Sequence, residues 1–474
     1  MNQFRAIPWA LFLFLTTGLC SPVLGQERDR EEDMFGTDPR SDDIFSDNET
    51  DEDTSDPFEE DTLEMGGSLY FQLSGVIPRT QNLNDYAIQA PGNLDLYLDA
   101  RPNDRLRGFA KGRVLWNPSA TDGDTPSTFG TSQKRTDALL DELWMRFDAA
   151  RTVFFTVGQA HVRWGATRIW NPVDVVQPSR KDPLAFYDLR TGVPQVKMHI
   201  PVESLGWNFY LLGLLDLVDT ARKAGGAIRS ELVFGTVEMG LTGAMRYGMD
   251  PKTGVDISAG IGDVDLTGEC GLSFARRTPE VQVSSGLEYT VPIFDEDSLI
   301  LGTEFFYNPG GYNNLEDAVL DTLGFSDSEV ELATQYFQNR DAGDLDAANL
   351  SPESQEALDK YSQSLQQLEP FYIGKLYGGA LIMLPRPGTW NDTSFTLLTL
   401  SNLSDLSALS RFDVSYQALT YLQVQTYISG FWGRPGELQP GPGAWGEIES
   451  LLAPLVTIPP RQLLQLGLNL RMSL

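Results

Sequence analysis

Between Arg105 and Arg113 the chain reads Arg-Leu-Arg-Gly-Phe-Ala-Lys-Gly-Arg. On an extended strand, side chains alternate between faces. Arg105, Arg107, Lys111 and Arg113 therefore share one face with Phe109, while Leu106, Gly108, Ala110, Gly112, Val114 and Trp116 share the other. Cations stacked on one row repel unless water or opposite charge screens them, so a solvated lumen is their natural setting. The preceding segment supplies the acids: Asp95, Tyr97, Asp99 and Arg101 alternate with the apolar Leu94, Leu96, Leu98 and Ala100. A hairpin turn at 102–104, symmetric about Asn103, places Asp99 opposite Arg107 and Asp95 opposite Lys111. Opposed acids and bases on a pore wall orient polar solutes, and charged rings set ion preference. The same pairs can instead satisfy one another and hold a wall in shape.

A second constellation runs Gly158-Gln159-Ala160-His161-Val162-Arg163-Trp164-Gly165, followed by Ile169-Trp170-Asn171-Pro172-Val173-Asp174. As a continuing strand it places Gln159, His161 and Arg163 on a polar, lumen-facing side and Ala160, Val162 and Trp164 on the apolar one. Asn171-Pro172 and the run to Pro178 predict a rigid, non-helical loop that folds inward as a constriction. The expected pore-lining set is thus Asp95, Asp99, Arg105, Arg107, Lys111, Arg113, Gln159, His161 and Arg163. Catalysis is not expected. His161 is placed to act as a base, yet no Gly-x-Ser-x-Gly nucleophile motif accompanies it, and a histidine hydrogen-bonded to lumen neighbours is the simpler state. The two histidines are too far apart along the chain from each other and from Cys270 to suggest a metal cluster. No glycine-rich phosphate loop is present, so no cofactor is expected, and a net charge of −31 argues against nucleic acid.

These residues need strands to carry them, and alternation supplies strands throughout 67–474. In the segment 465–474, Leu466, Leu468, Leu470, Met472 and Leu474 form one wholly apolar face. Gln465, Gly467, Asn469, Arg471 and Ser473 form the other, as in the closing strand of an outer-membrane β-barrel. Eighteen such segments can be marked, with 16 the next choice, which predicts an all-β, antiparallel up-and-down transmembrane barrel. The short connections (102–104, 149–152, 202–205, 419–420) and the long ones (117–137, 165–193, 309–370, 433–460) fall on opposite rims, as barrel topology requires. Tyr70, Trp116, Trp164, Trp207, Tyr421 and Trp432, near predicted strand ends, suit the aromatic girdles.

The N-terminal region carries targeting information. Arg5, the apolar run from Ala10 to Leu15 and Val23-Leu24-Gly25 before Gln26 read as a secretory signal peptide over residues 1–25. Cys20 follows Leu19, where lipid attachment needs a small residue. Cys270 alone would remain after cleavage, so no internal disulfide is expected. Residues 26–64 hold 18 acids against three arginines, a composition too acidic and too poor in apolar residues to fold. The segment 26–66 therefore reads as a disordered periplasmic tether whose Phe35, Phe45 and Phe58 beads could meet a basic periplasmic partner. The 62-residue insertion 309–370 differs. Ser326 to Glu329 form a capping box, Ser351-Pro352-Glu353 starts a second helix, and 316–369 carry 13 acids against two bases. It reads as a small acidic helical subdomain, extracellular or plugging the pore.

Gly158-Gln159, Trp164-Gly165 and Asn171-Pro172-x-Asp174, with Gly302 to Tyr312 and Thr396 to Asp405, resemble porin-like outer-membrane proteins of Gram-negative bacteria. The resemblance covers most of 67–474. It implies a barrel in outer-membrane lipid, inserted by the barrel-assembly machinery through its last strand, that passes small solutes without chemistry. Two features depart from the pattern: Leu474 stands where an aromatic residue is usual, and the acidic segment and 309–370 have no counterpart. Two other readings follow from the same residues. One is a non-conducting scaffold or adhesion barrel that recruits partners through its acidic parts. The other is an exporter of an acidic polysaccharide.

Overall fold

The computed structural model describes residues 62–474 except 80–85, 120–134, 178, 186, 217–219, 221–222, 275–278, 294–296, 315–317, 319–370 and 440–460. The expected signal peptide, nearly all of the acidic segment and the helices of the insertion lie outside the described residues.

The first strands are β1 (Leu63–Pro78), β2 (Ala87–Gln89), β3 (Gly92–Asn103), β4 (Leu106–Trp116), β5 (Thr136–Ala149) and β6 (Val153–Ala160). Then follow β7 (Val193–Val202), β8 (Trp207–Leu214), β9 (Gly225–Phe234), β10 (Val237–Met245), β11 (Lys252–Ile261), β12 (Val264–Ser273) and β13 (Glu280–Pro292). The chain continues through β14 (Ser298–Tyr307), β15 (Leu376–Pro385), β16 (Thr393–Asn402), β17 (Ser407–Leu419), β18 (Leu422–Gly433) and β19 (Gln462–Ser473). Strand β2 is a short strip beside β1. The other eighteen form one closed antiparallel sheet. Each pairs with the next, and β1 closes the ring between β19, where Leu69 faces Met472, and β3, where Leu69 faces Leu94. Closure leaves no unpaired edge, the condition for strands to cross a bilayer whose core offers no hydrogen-bond partners. No helix among the described residues is long and apolar enough to cross.

The two faces follow from the sequence period. Leu96, Leu98, Ile228, Leu241, Ile257 and Leu466 stand exposed on the outer wall, while their polar neighbours Asp95, Asp99, Arg229, Thr242, Asp256 and Asn469 are buried within. Asn469 donates to Gln425 and accepts from Tyr70, fixing β19 between β18 and β1 from the lumen side. Turns of two to seven residues (104–105, 150–152, 203–206, 235–236, 262–263, 293–297, 386–392, 420–421) lie at one rim. The strand ends that flank 117–135, 161–192, 308–375 and 434–461 lie at the other.

Several sequence expectations are corrected. β1 starts at Leu63 rather than near Gly67, β15 starts at Leu376 rather than 371, and β6 stops at Ala160 rather than 164. Trp116 and Trp432 are exposed on the outer wall and Tyr421 is exposed in the turn 420–421, but Tyr70 and Trp164 are buried inside. Tyr70 alternates with outward Leu69, and Trp164 lies beyond the end of its strand. The register of β3 on β4 is also different. The turn sits at Asp104-Arg105, and an irregularity between Ala100 and Asn103 moves every partner by two, so Asp95 faces Arg113 and Asp99 faces Phe109. A two-residue shift preserves which face each side chain occupies. The charged rows therefore stay on the inner wall, where Asp95 pairs with the facing Arg113 and diagonally with Lys111, and Asp99 diagonally with Arg107.

Candidate constriction zone

The inner wall of β3, β4 and β5 carries a closed ion-pair network. Arg113 donates to both oxygens of Asp95 (2.9 and 3.1 Å), to Asp141 (2.8 Å) and to the Tyr187 hydroxyl (3.1 Å). Lys111 lies 3.4 Å from Asp95 and 3.2 Å from Asp141. One step down the wall, Arg107 is bidentate on Asp99 (3.0 and 2.9 Å), which also accepts from Arg101. The Arg113 side chain is 1 % exposed and that of Asp141 0 %. These charges hold the wall together; Asp95, Asp99, Arg113 and Asp141 are enclosed, while Lys111 stays partly exposed. Arg105 belongs to no ladder: it lies in the turn and pairs with Asp148 at the end of β5.

Asp141 and Glu142 were not anticipated. Lys111 faces Glu142 and Gly112 faces Leu140, so Asp141 is an extra residue, a β-bulge that turns two successive side chains inward. The signal was there in Leu139-Leu140-Asp141-Glu142-Leu143, where two apolar residues and then two acids break the alternation. Gln159 caps this bulge from the outside. It stands on the outer row of β6 with Val157, and its amide donates to the carbonyls of Leu140 (2.8 Å) and Asp141 (3.0 Å). Its expected place in the lumen is thus corrected. His161, one residue past the strand, does turn inward, with Nε2 3.0 Å from Asp141 Oδ1. Asp141, Glu142 and His161 bring donor atoms within 4.8 Å of one another, the geometry of a cation site. Lys111 and Arg113 already neutralise Asp141, which makes this an ion-pair cluster.

Beyond Ala160 the chain leaves the sheet and crosses the lumen. Gly165 adopts φ +108°, and a Cβ there would lie 2.2 Å from Asn171 Oδ1 and 2.5 Å from Glu269 Oε1, so only glycine fits. Asn171 ties the turn: its amide donates to Trp164 O (2.6 Å), and its oxygen accepts from the Asp174 N–H (3.0 Å). The segment is then held by wall after wall. Arg246 donates to Val176 O, and Arg411 of β17 to Leu184 O (2.6 Å). Tyr187 donates to Asp95 of β3, and Gly192 N–H to Asp141 O of β5 (3.0 Å). Burial raises the Tyr187 phenol, which keeps it a donor. Trp170 is fully buried against Phe306, Tyr372 and Tyr377, so the side of the lumen at β14–β17 is packed with apolar side chains. The predicted inward loop is present, and it reaches much further across the lumen than 171–178.

The loop presents a shallow recess lined by Arg163, Arg168, Ile169, Asn171, Asp174, Arg180, Lys181, Arg190 and Tyr372. Five of these are cations. Arg180 donates to Asn171 O (2.8 Å) and lies 5.0 Å over the Tyr372 ring; Arg168 reaches Glu288 (2.9 Å); Arg190 is clamped by Asp188 (2.7 Å). Asp174 is the one acid in the lining. Burial pushes its carboxyl up against the pull of Arg190. Of the expected pore residues, Arg163 alone enters this lining; Arg168, Arg180, Lys181 and Arg190 escaped notice because they lie in a stretch without periodicity. His199, on β7, sits apart, hydrogen-bonded with Asn208 (3.0 Å) and stacked on Tyr210.

No protein-family model and no curated protein sequence matches this chain. Among solved structures it is similar to OccAB4 of Acinetobacter baumannii, with a TM-score of 0.50 at 10% identity over 88% of this chain and 100% of that one. OccK5 (OpdH) of Pseudomonas aeruginosa gives 0.49 at 10% identity over 87% and 98%. A triple mutant of the Rhodopseudomonas blastica porin gives 0.41 at 8% over 87% and 100%. Closed ring, eighteen antiparallel strands and polar inner wall together give this chain the fold of a porin-like outer-membrane β-barrel.

Proposed function

We propose that this chain is an outer-membrane channel for passive passage of small solutes, with a constriction that favours anions. The observation that carries this reading is the loop 161–192, which crosses the lumen and presents five cations around one recess. Apolar side chains on the outer wall suit contact with lipid. Cations around a constriction lower the energy of an anion there and raise that of a cation. The selectivity once expected of the β3–β4 rows shifts to this loop. Asp95, Asp99 and Arg113 act as wall supports, while Lys111, His161 and Arg163 keep contact with lumen water. Reversal potentials across planar bilayers test the proposal. The purified barrel should conduct with chloride preferred over potassium, and R163Q/R168Q/K181Q should move the preference toward cations. Absence of current in the folded barrel, or an unchanged reversal potential in the triple variant, would overturn it.

A further inference from the structure

We propose that Glu269 of β12 and Glu304 of β14 are the positioning residues of the constriction, and that their two carboxylates determine where its cations stand. Five consecutive backbone N–H groups, from Ala166 to Trp170, all point at these side chains. Glu269 Oε1 accepts from Ala166 N (2.6 Å), Thr167 N (2.7 Å) and Thr167 Oγ1 (2.7 Å), and its Oε2 accepts from Val173 N (3.2 Å). Glu304 accepts from Arg168 N (3.0 Å), Ile169 N (3.1 Å) and Trp170 N (2.6 Å). Both glutamates are buried.

The physical need is plain. The described residues of 161–192 contain no helix or strand that could take up their own N–H groups, and buried N–H groups must find acceptors. An ionised carboxylate is the side chain with acceptor capacity for several at once, and it accepts without donating. The wall is shaped to bring the loop this close. A Cβ on Gly271 would lie 2.6 Å from Pro172 O, and one on Gly379 would lie 2.7 Å from Ile169 Cδ1. Arg163 and Asn171 flank the clasped stretch and Arg168 lies within it, so releasing the clasp displaces the recess itself.

The inference rests on the channel reading, and two readouts keep their failures apart. The first is amide hydrogen exchange of 166–173 in the folded barrel. E269A/E304A should exchange on the order of tenfold or more faster there than wild type, since each lost hydrogen bond is worth roughly one such factor. E269Q/E304Q, with one acceptor oxygen per residue, should fall between. The second is conductance: the alanine pair should open wider and lose part of its anion preference, and the glutamine pair should recover much of both. Exchange unchanged in E269A/E304A overturns the clasp whether or not the barrel conducts. Faster exchange with wild-type conductance and reversal potential removes the two glutamates as determinants of the pore. A wild-type barrel that carries no current defeats the channel reading, and exchange alone then decides the clasp.

Discussion

Burial separates two kinds of cation that composition alone treats alike. Arg113 was expected to face solutes, yet it is enclosed by Asp95, Asp141 and Tyr187. Removing one member of such a buried set leaves carboxylates without a counter-charge, at a cost of about 3–5 kcal/mol. Arg113→Ala should therefore lower the unfolding free energy of the barrel in lipid vesicles by about that much. Arg163→Gln, at an exposed site, should stay within about 0.5 kcal/mol of wild type while changing ion preference. Equal stability losses in the two variants would mean that Arg113 is no more structural than Arg163. The inward face of these residues was legible, because period-two alternation survives any even shift in register. The pairs Asp99–Arg107 and Asp95–Lys111 were legible too, but the partners of Arg113 were not, since they hang on the shifted register of β3 on β4 and on a bulge in β5.

At the scale of elements, the eighteen barrel strands could be read from alternation, and the long and short connections from their lengths. The connections themselves were hardly legible, because their order comes from contacts far apart in sequence. Glu437 is a case in point. It joins three segments at the long-loop rim, accepting from Phe371 N–H, from the Tyr377 hydroxyl and from Asn402 Nδ2 (2.8 Å), while its own N–H donates to Asp405 (2.8 Å). Burial pushes its carboxyl up to about 7 from 4.5, with the neighbouring Asp405 acting in the same direction and the Tyr377 hydroxyl against it. A carboxyl raised on folding binds its proton more tightly in the native state. Its contribution is intact below the unfolded value and is lost as pH rises from about 4.5 through about 7. Thermal unfolding in detergent, followed between these pH values, should show wild type losing stability relative to E437Q. Parallel curves for the two proteins would exclude Glu437 as the source.

For the whole molecule, the sign of ion preference is a contest between local and global charge. The chain carries a formal net charge of −31, which taken as one smeared field favours cations. Much of that charge belongs to 26–64 and 316–369, whereas the constriction is lined by five cations and one acid. Distance and screening decide between them. The Debye length is about 10 Å at 0.1 M salt and about 3 Å at 1 M, so only charges within that reach of a permeating ion act on it. A channel ruled by its constriction should prefer chloride at 0.1 M, and the preference should shrink toward 1 M as the recess itself becomes screened. Bi-ionic reversal potentials taken across this range test the point. Cation preference at 0.1 M would give the decision to the distributed acidic charge. A chloride preference that stayed flat up to 1 M would instead make the width of the aperture, and the clasp that sets it, the discriminating feature.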